Sequence, residues 1–179
     1  MSRASMRIAL VNMPFGVLSL PSLAFAQLEA VLKKEFPGRL AIETLYLNMD
    51  FALHVGDLSL YNHALSEYGF LSAAGDWLFR QEAFPESTDN SEAYFARYYY
   101  DAQPATRKAR AFLQEQRRGL REALDGWIDK YRLLDSDIVG FSLLYCQTVA
   151  AFALARRIKD RNPKVTTLVP ANVGIIKNA

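Results

Sequence analysis

The chain has 179 residues, 51% of them apolar and 22% charged, the size and make-up of one globular domain rather than a disordered or multidomain chain. Its 21 Lys and Arg stand against 19 Asp and Glu, a net charge of +2, so no overall field marks a nucleic-acid or anionic-membrane partner. A single cysteine, Cys146, excludes an internal disulfide, a zinc site of several thiolates and a three-cysteine iron-sulfur site.

Ile8, Ala9, Leu10 and Val11 form a short unbroken apolar run stopped by Asn12 and the Met13-Pro14-Phe15-Gly16 turn, the pattern of a strand buried on both faces. Residues 1–27 have a rival reading as a secretory signal, from Arg3 and Arg7, an apolar middle and Ala24-Phe25-Ala26. Asn12, Pro14, Gly16 and Ser19 interrupt the continuous apolar run of ~7–15 residues that such a segment needs. No apolar run reaches the ~20 residues of a membrane span, and the expected location is the cytoplasm.

After Pro21, Ser22 offers an N-cap hydroxyl, and Ala24, Leu28, Val31, Leu32 and Phe36 recur at helical spacing until Pro37-Gly38, which predicts an amphipathic helix with that stripe inward. Residues 40–47 read as a second strand. Strand, turn, helix and strand in succession make a parallel βαβ unit with a right-handed crossover. Residues 50–134 lose strand alternation and read as inserted helices around a polar loop at 85–90. The clearest is expected over 105–134, with Leu113, Leu120, Leu124, Trp127, Ile128 and Tyr131 on one stripe. Gly119 and Gly126 each weaken it by about 1 kcal/mol relative to Ala. Its basic residues, Arg107, Lys108, Arg110, Arg117, Arg118 and Arg121, read as a solvated face, with a grip on a phosphate or an acidic peptide as the functional alternative.

The βαβ pattern returns with a strand at 137–142, a helix at 147–160 stopped by Asn162-Pro163, and a strand at 165–169. The expected fold is therefore α/β and flavodoxin-like: one domain over 1–179, a parallel sheet in the order 2-1-3-4, and a helical insertion between strands 2 and 3. In such a sheet ligands bind beyond the carboxyl ends of the strands, at the switch point between strands 1 and 3. The candidate binding residues are thus Asn12, Met13, Pro14, Phe15, Gly16, Ser142, Leu143, Tyr145, Gln147, Ala171 and Asn172. They mix apolar and amide or hydroxyl groups without an acid-base set, which suits holding a large neutral or amphipathic cofactor and leaves no catalytic residue to name. The chain has no G-x-G-x-x-G after the first strand and no G-x-x-x-x-G-K-[ST], so dinucleotide and nucleoside-triphosphate sites lack their phosphate cradle. His54 and His63 have no zinc-motif spacing and read as half-buried hydrogen-bonding residues. Cys146 reads as a buried small hydrophobe, and Tyr98-Tyr99-Tyr100 as packing.

Three segments carry a family resemblance: Met6-Arg-Ile-Ala-Leu-Val-Asn-Met-Pro-Phe15, the long helical insertion, and Asp137-Ile-Val-Gly-Phe-Ser142 followed by the Gln147-Thr-Val-Ala-Ala-Phe-Ala-Leu-Ala-Arg-Arg-Ile-Lys159 helix. Together they resemble the cobalamin-binding N-terminal domain of radical S-adenosylmethionine methyltransferases that mature ribosomally made peptide natural products. The resemblance implies cobalamin held by the loops named above, and a radical S-adenosylmethionine subunit or a precursor peptide as partner, with no nucleic acid and no membrane. It implies no catalysis by this chain alone, because the Cys-x-x-x-Cys-x-x-Cys of the family's radical barrel is missing and the domain reads as stand-alone or truncated. Val169-Pro170-Ala171-Asn172 stands where the family has Gly-Gly-Ala-Asn, which predicts a weaker third wall. Asp50-Phe-Ala-Leu-His54 departs from the Asp-x-His-x-x-Gly of another class of B12 proteins, so His54 is not expected as a cobalt ligand. The alternative function is an interaction protein that has lost the cofactor and binds a partner protein or peptide.

Overall fold

In the computed structural model, which describes residues 5–65 and 67–169, four parallel strands form one sheet in the order β2-β1-β3-β4. The strands are β1 (Met6–Asn12), β2 (Leu40–Tyr46), β3 (Ile138–Phe141) and β4 (Thr166–Leu168). The α/β class and the strand order are those expected, and residues 6–12 are the central strand of the sheet. β1 is paired on both edges, with Ile8 opposite Ile42 on one side and Ile138 on the other.

Helix α1 (Leu23–Glu35) joins β1 to β2, and its Ser22 hydroxyl accepts from the Phe25 N–H at 3.3 Å, satisfying one of the donors a helix start leaves without a partner. The expected inward stripe is rotated. Phe25 is the buried residue, Glu29 reaches inward to accept from the Thr44 hydroxyl of β2 at 3.2 Å, and Leu28, Val31 and Phe36 are exposed. Periodicity sets the width of an apolar stripe; here the Phe25 socket and the Glu29–Thr44 bond decide which way it turns.

The insertion comprises α2 (Leu47–Val55), α3 (Leu58–Leu65), α4 (Glu67–Leu71), α5 (Ala74–Ala83), α6 (Ser91–Tyr98), α7 (Pro104–Arg118) and α8 (Leu120–Lys130). The single helix expected over 105–134 is thus two helices. Gly119 breaks it, with φ −94° and ψ 5°, outside the α-helical well and easily reached by glycine. Helix α9 (Thr148–Arg161) returns from β3 to β4 and ends at Asn162.

Because side chains alternate across a strand, the register puts Ile8, Leu10, Ile42, Ile138, Gly140, Thr166 and Leu168 on one sheet face and Ala9, Val11, Leu45, Val139 and Phe141 on the other. The second face carries the main core, in which the insertion, α9 and the sheet bury Phe51, Phe79, Leu120, Leu124 and Ile128. The first face holds only a small cluster of Ile8, Leu10 and Phe25 with Leu40, Ile42 and Ile138 against it. Helix α5 meets α9 through small residues, with Ala74, Ala150, Ala151 and Ala153 fully buried. Among the described residues no helix is long and apolar enough to cross a membrane.

Candidate functional site

The loop leaving β1 is built as a tight turn. Pro14 presets one φ, Phe15 takes φ 70°, and the Gly16 N–H donates to the Met13 carbonyl at 3.2 Å, the type II pattern that ordinarily puts glycine where Phe15 stands. A non-glycine residue there costs on the order of 1–2 kcal/mol. The insertion compensates. The Phe15 ring packs on Phe51, Tyr61 and Phe79 at centroid distances of 5.4, 5.9 and 6.1 Å. The Tyr61 hydroxyl accepts from the Phe15 N–H at 3.1 Å and donates to the Gly16 carbonyl at 3.0 Å. Asn48, 1% exposed, donates to the Val17 carbonyl at 3.1 Å. Burial pushes the Tyr61 phenol well above its ordinary value, so it stays protonated and keeps its donor.

The loops after β1 and β3 are tied together by side chains. Ser142 Oγ accepts from the Met13 N–H at 3.0 Å and donates to Asn12 Oδ1 at 3.1 Å. Gln147 Nε2 donates to the Met13 carbonyl at 2.8 Å and to Asn12 Oδ1 at 3.3 Å, while its Oε1 accepts from the Leu144 N–H at 3.0 Å. Asn12 and Gln147 are 7% and 2% exposed, so this is a buried network in which Ser142 and Gln147 are committed and Asn12 Nδ2 has no partner among the described residues. Gly16 lies over it: a Cβ there would come to 3.0 Å from both Asn12 Oδ1 and Gln147 Nε2.

Above this floor, at the switch point, a cleft of about 450 Å³ opens. Of the residues expected at the site, Asn12, Gly16, Ser142, Leu143 and Gln147 line it. The side chains of Met13 and Phe15 turn into the main core instead, and Pro14 is buried with them. Tyr145 opens the short 3-10 turn Tyr145–Gln147 through its backbone, and Ala171 and Asn172 lie outside the described residues. The outer wall is one that sequence reasoning missed: Val17, Leu20, Pro21 and Leu23, at the start of α1, with Leu144 opposite. The available signal was the Ser22 cap, which marks the start of α1 only a few residues after the Gly16 turn. Leu23 and Ala24 there carry N–H groups with no acceptor inside the helix. No Lys, Arg, Asp, Glu or His is among the lining residues.

The start of α9, the other helix end at the switch point, is filled from within. Gln147 makes no side-chain cap there; instead the carboxyl of Asp76 from α5 faces the Val149 N–H, with its Oδ1 buried and without a hydrogen bond among the described residues. A carboxylate at a helix N-terminus occupies the place where an external anion would settle. Burial nevertheless raises Asp76 above the usual carboxylate range, with the facing Val149 N–H opposing it. Burial, and then the Asp76 charge, push the Cys146 thiol up, and Cys146 is buried, as a small hydrophobe would be. His54 is exposed at the end of α2, not half-buried as expected, with its ring against Phe51. Among the described residues no group of three or more His, Cys, Asp or Glu is placed to hold a metal.

Asp76 also sets a pH dependence. A carboxyl raised in the folded state binds its proton more tightly there, so stability falls as pH climbs from the unfolded value towards the folded one and stays lower above it. Asp76→Asn keeps an oxygen for the Val149 N–H and removes that loss. Thermal melts across the acid to neutral range should show the variant melting higher than the wild type at neutral pH, with the gap closing as pH falls below the ordinary value of 3.8.

Compared with known protein families, curated proteins and solved structures, the chain matches none.

Proposed function

We propose that this chain is a cobalamin-binding-type domain, related to those of radical S-adenosylmethionine peptide methyltransferases and not a methyltransferase by itself. The observation that carries the reading is the cleft: apolar walls over a locked amide floor, at the switch point of a 2-1-3-4 sheet. The donor set suits the nucleotide tail of cobalamin. Val17, Leu20 and Leu23 offer apolar wall to its aromatic base, Asn12 Nδ2 an uncommitted donor, and the first N–H groups of α1 a partner for its phosphodiester. Gly16 keeps open the space a side chain would take. When bound, cobalamin supplies methyl-group transfer; this chain's residues hold and orient it and keep water from the buried floor. His54, exposed on α2 and absent from the cleft lining, is not a ligand for cobalt in this reading.

Incubation with hydroxocobalamin followed by desalting should leave the corrin absorbance with the protein. Val17→Trp, at a position 55% exposed, should fill the cleft and abolish retention without lowering the melting temperature. Ser142→Trp should abolish retention and also destabilise, because it removes the bonds to Asn12 and Met13. Retention unchanged by Val17→Trp would place the corrin elsewhere and end this reading.

A second reading, an interaction protein without cofactor, is favoured by the outward apolar side chains of the 17–31 stretch, with Leu20, Leu23 and Val31 at 67%, 71% and 55% exposure. A protein that takes up no cobalamin, and that self-associates or captures a partner through these side chains, would support it.

A further inference from the structure

The solvated basic face expected on α7 divides into two halves with different chemistry. Arg117 is stapled into the insertion: it lies over the Trp77 ring at 4.3 Å, donates to Ser91 Oγ at 2.7 Å and pairs with Asp89 at 3.2 Å. Arg118 pairs with Glu115, and Arg121 with Glu82. Arg107, Lys108 and Arg110, in the N-terminal half of α7, have no hydrogen bond or carboxylate partner among the described residues, and neither does Arg97 of α6. All four are exposed. Arg7, Lys130, Arg132, Arg156, Arg157 and Arg161 each lie on a carboxylate, and the other cations without one among the described residues, Lys34, Arg39, Arg80, Lys159 and Lys164, are scattered along the chain rather than gathered on one face.

Two of the four are held in place by rings. Arg110 lies over Phe95 at 4.9 Å, and Arg97 over Tyr98 at 5.3 Å. A guanidinium stacked on an aromatic face has lost much of its rotamer freedom while its N–H edges stay open. The Phe95–Arg110 contact also fixes α6 beside α7, so Arg107, one turn nearer the 99–103 connection, lies towards the Arg97 end of α6. Tyr100, 78% exposed, is in that connection, and the tyrosine run expected to pack is thus split, with Tyr99 buried and Tyr100 out. Asp101 is the one acid between Arg97 and Arg110, and its Oδ1 accepts from the Gln103 N–H at 2.9 Å.

We propose that the α6–α7 face around Arg97, Arg107, Lys108 and Arg110 is a docking surface for an acidic peptide segment. Open guanidinium edges match carboxylates in bidentate geometry. A nucleic-acid groove calls for a strongly basic domain, whereas this chain has a net charge of only +2 and a pI near 8.7, so the charge is local and sized for a short run of Asp and Glu. The footprint stops along α7 at Gln114, beyond which a groove of about 490 Å³ holds Arg117 and Arg118 already neutralised.

The test is fluorescence anisotropy of the full chain with a labelled peptide of alternating Glu and Gly at low salt. Arg107→Glu with Lys108→Glu should weaken binding about tenfold, with the circular dichroism spectrum and melting temperature unchanged because neither side chain has a bonded partner. Lys34→Glu with Lys164→Glu makes the same change in net charge on other exposed sites and should leave binding within about twofold. Equal loss in both pairs, or no binding by the wild type, would overturn the proposal. So would a single-stranded oligonucleotide of the same charge binding at least as tightly as the peptide, which would make the face a nucleic-acid surface.

Discussion

Phe15→Ala should lower the folding free energy by about 3–5 kcal/mol, the range for removing a fully packed phenylalanine, and Phe15→Gly should lower it by about 1 kcal/mol less. That order reverses the usual one, in which glycine is the worse substitute. It follows from φ 70° at Phe15: alanine loses the ring and keeps the backbone strain, while glycine loses the ring and is relieved of the strain. Denaturant titration of the three proteins measures it. Alanine more stable than glycine would mean that the left-handed turn carries no strain for the insertion to offset. Corrin retention should fall in both variants, since the loop that roofs the Asn12–Gln147 floor would no longer be fixed.

Gly75→Val should be the most damaging substitution at a glycine. A Cβ at Gly75 would come to 2.8 and 2.9 Å from the Phe15 ring and 2.9 Å from Cys146 Cβ, inside the distances real Cβ atoms keep. Two of those contacts are with the ring of the strained turn and the third is with the Cys146 side chain just ahead of α9, so relief requires moving the turn or parting α5 from α9. Overpacking of this kind costs about 1–3 kcal/mol and more where backbone must shift; valine, with two further carbons, belongs at the upper end. The specific cause is checkable by a double-mutant cycle. Gly75→Ala and Phe15→Leu should each destabilise alone, and together should cost less than their sum, because the smaller side chain vacates the ring edge that the new methyl meets. Strict additivity would show that the clash lies elsewhere.

The sheet was legible because its signals are local. The run Ile8, Ala9, Leu10, Val11, the Ser22 cap, the glycine after Pro37 and the Asn162-Pro163 stop each mark an element end through a few neighbouring residues, and βαβ chirality then leaves few ways to order the strands. What escaped depends on residues far apart in the chain. Nothing near Phe15 announces a positive φ, because the aromatic residues that stabilise it, Phe51, Tyr61 and Phe79, are supplied by the insertion. The role of Asp76 at the start of α9 needs α5 to lie on α9. Helix α1 was found in place but turned, since hydrophobic spacing does not say whether Phe25 or Leu28 meets the sheet. Met13 is expected at the cleft from its place just beyond the carboxyl end of β1, and the turn at Pro14 sends it into the core instead.

The central strand has one neighbour close in sequence and one remote. Ile8 meets Ile42 after about 34 residues and Ile138 only after about 130, a difference in loop-closure free energy of about 1.2 kcal/mol. The modest figure hides a consequence for synthesis. A chain emerging from a ribosome at about 5–20 residues per second exposes β1, α1 and β2 for several seconds before β3 exists to cover the free edge of β1. In that interval the half-sheet has an open hydrogen-bonding edge flanked by Ile8, Leu10 and Val11, the feature by which nascent chains recruit holdase chaperones or join one another. The helices of the insertion, each closed by its own backbone bonds, can form meanwhile, but α5, which carries Phe79, completes its packing only when α9 follows β3 and meets Ala74. The order of assembly is thus written into the distance between the strands that meet at the cleft.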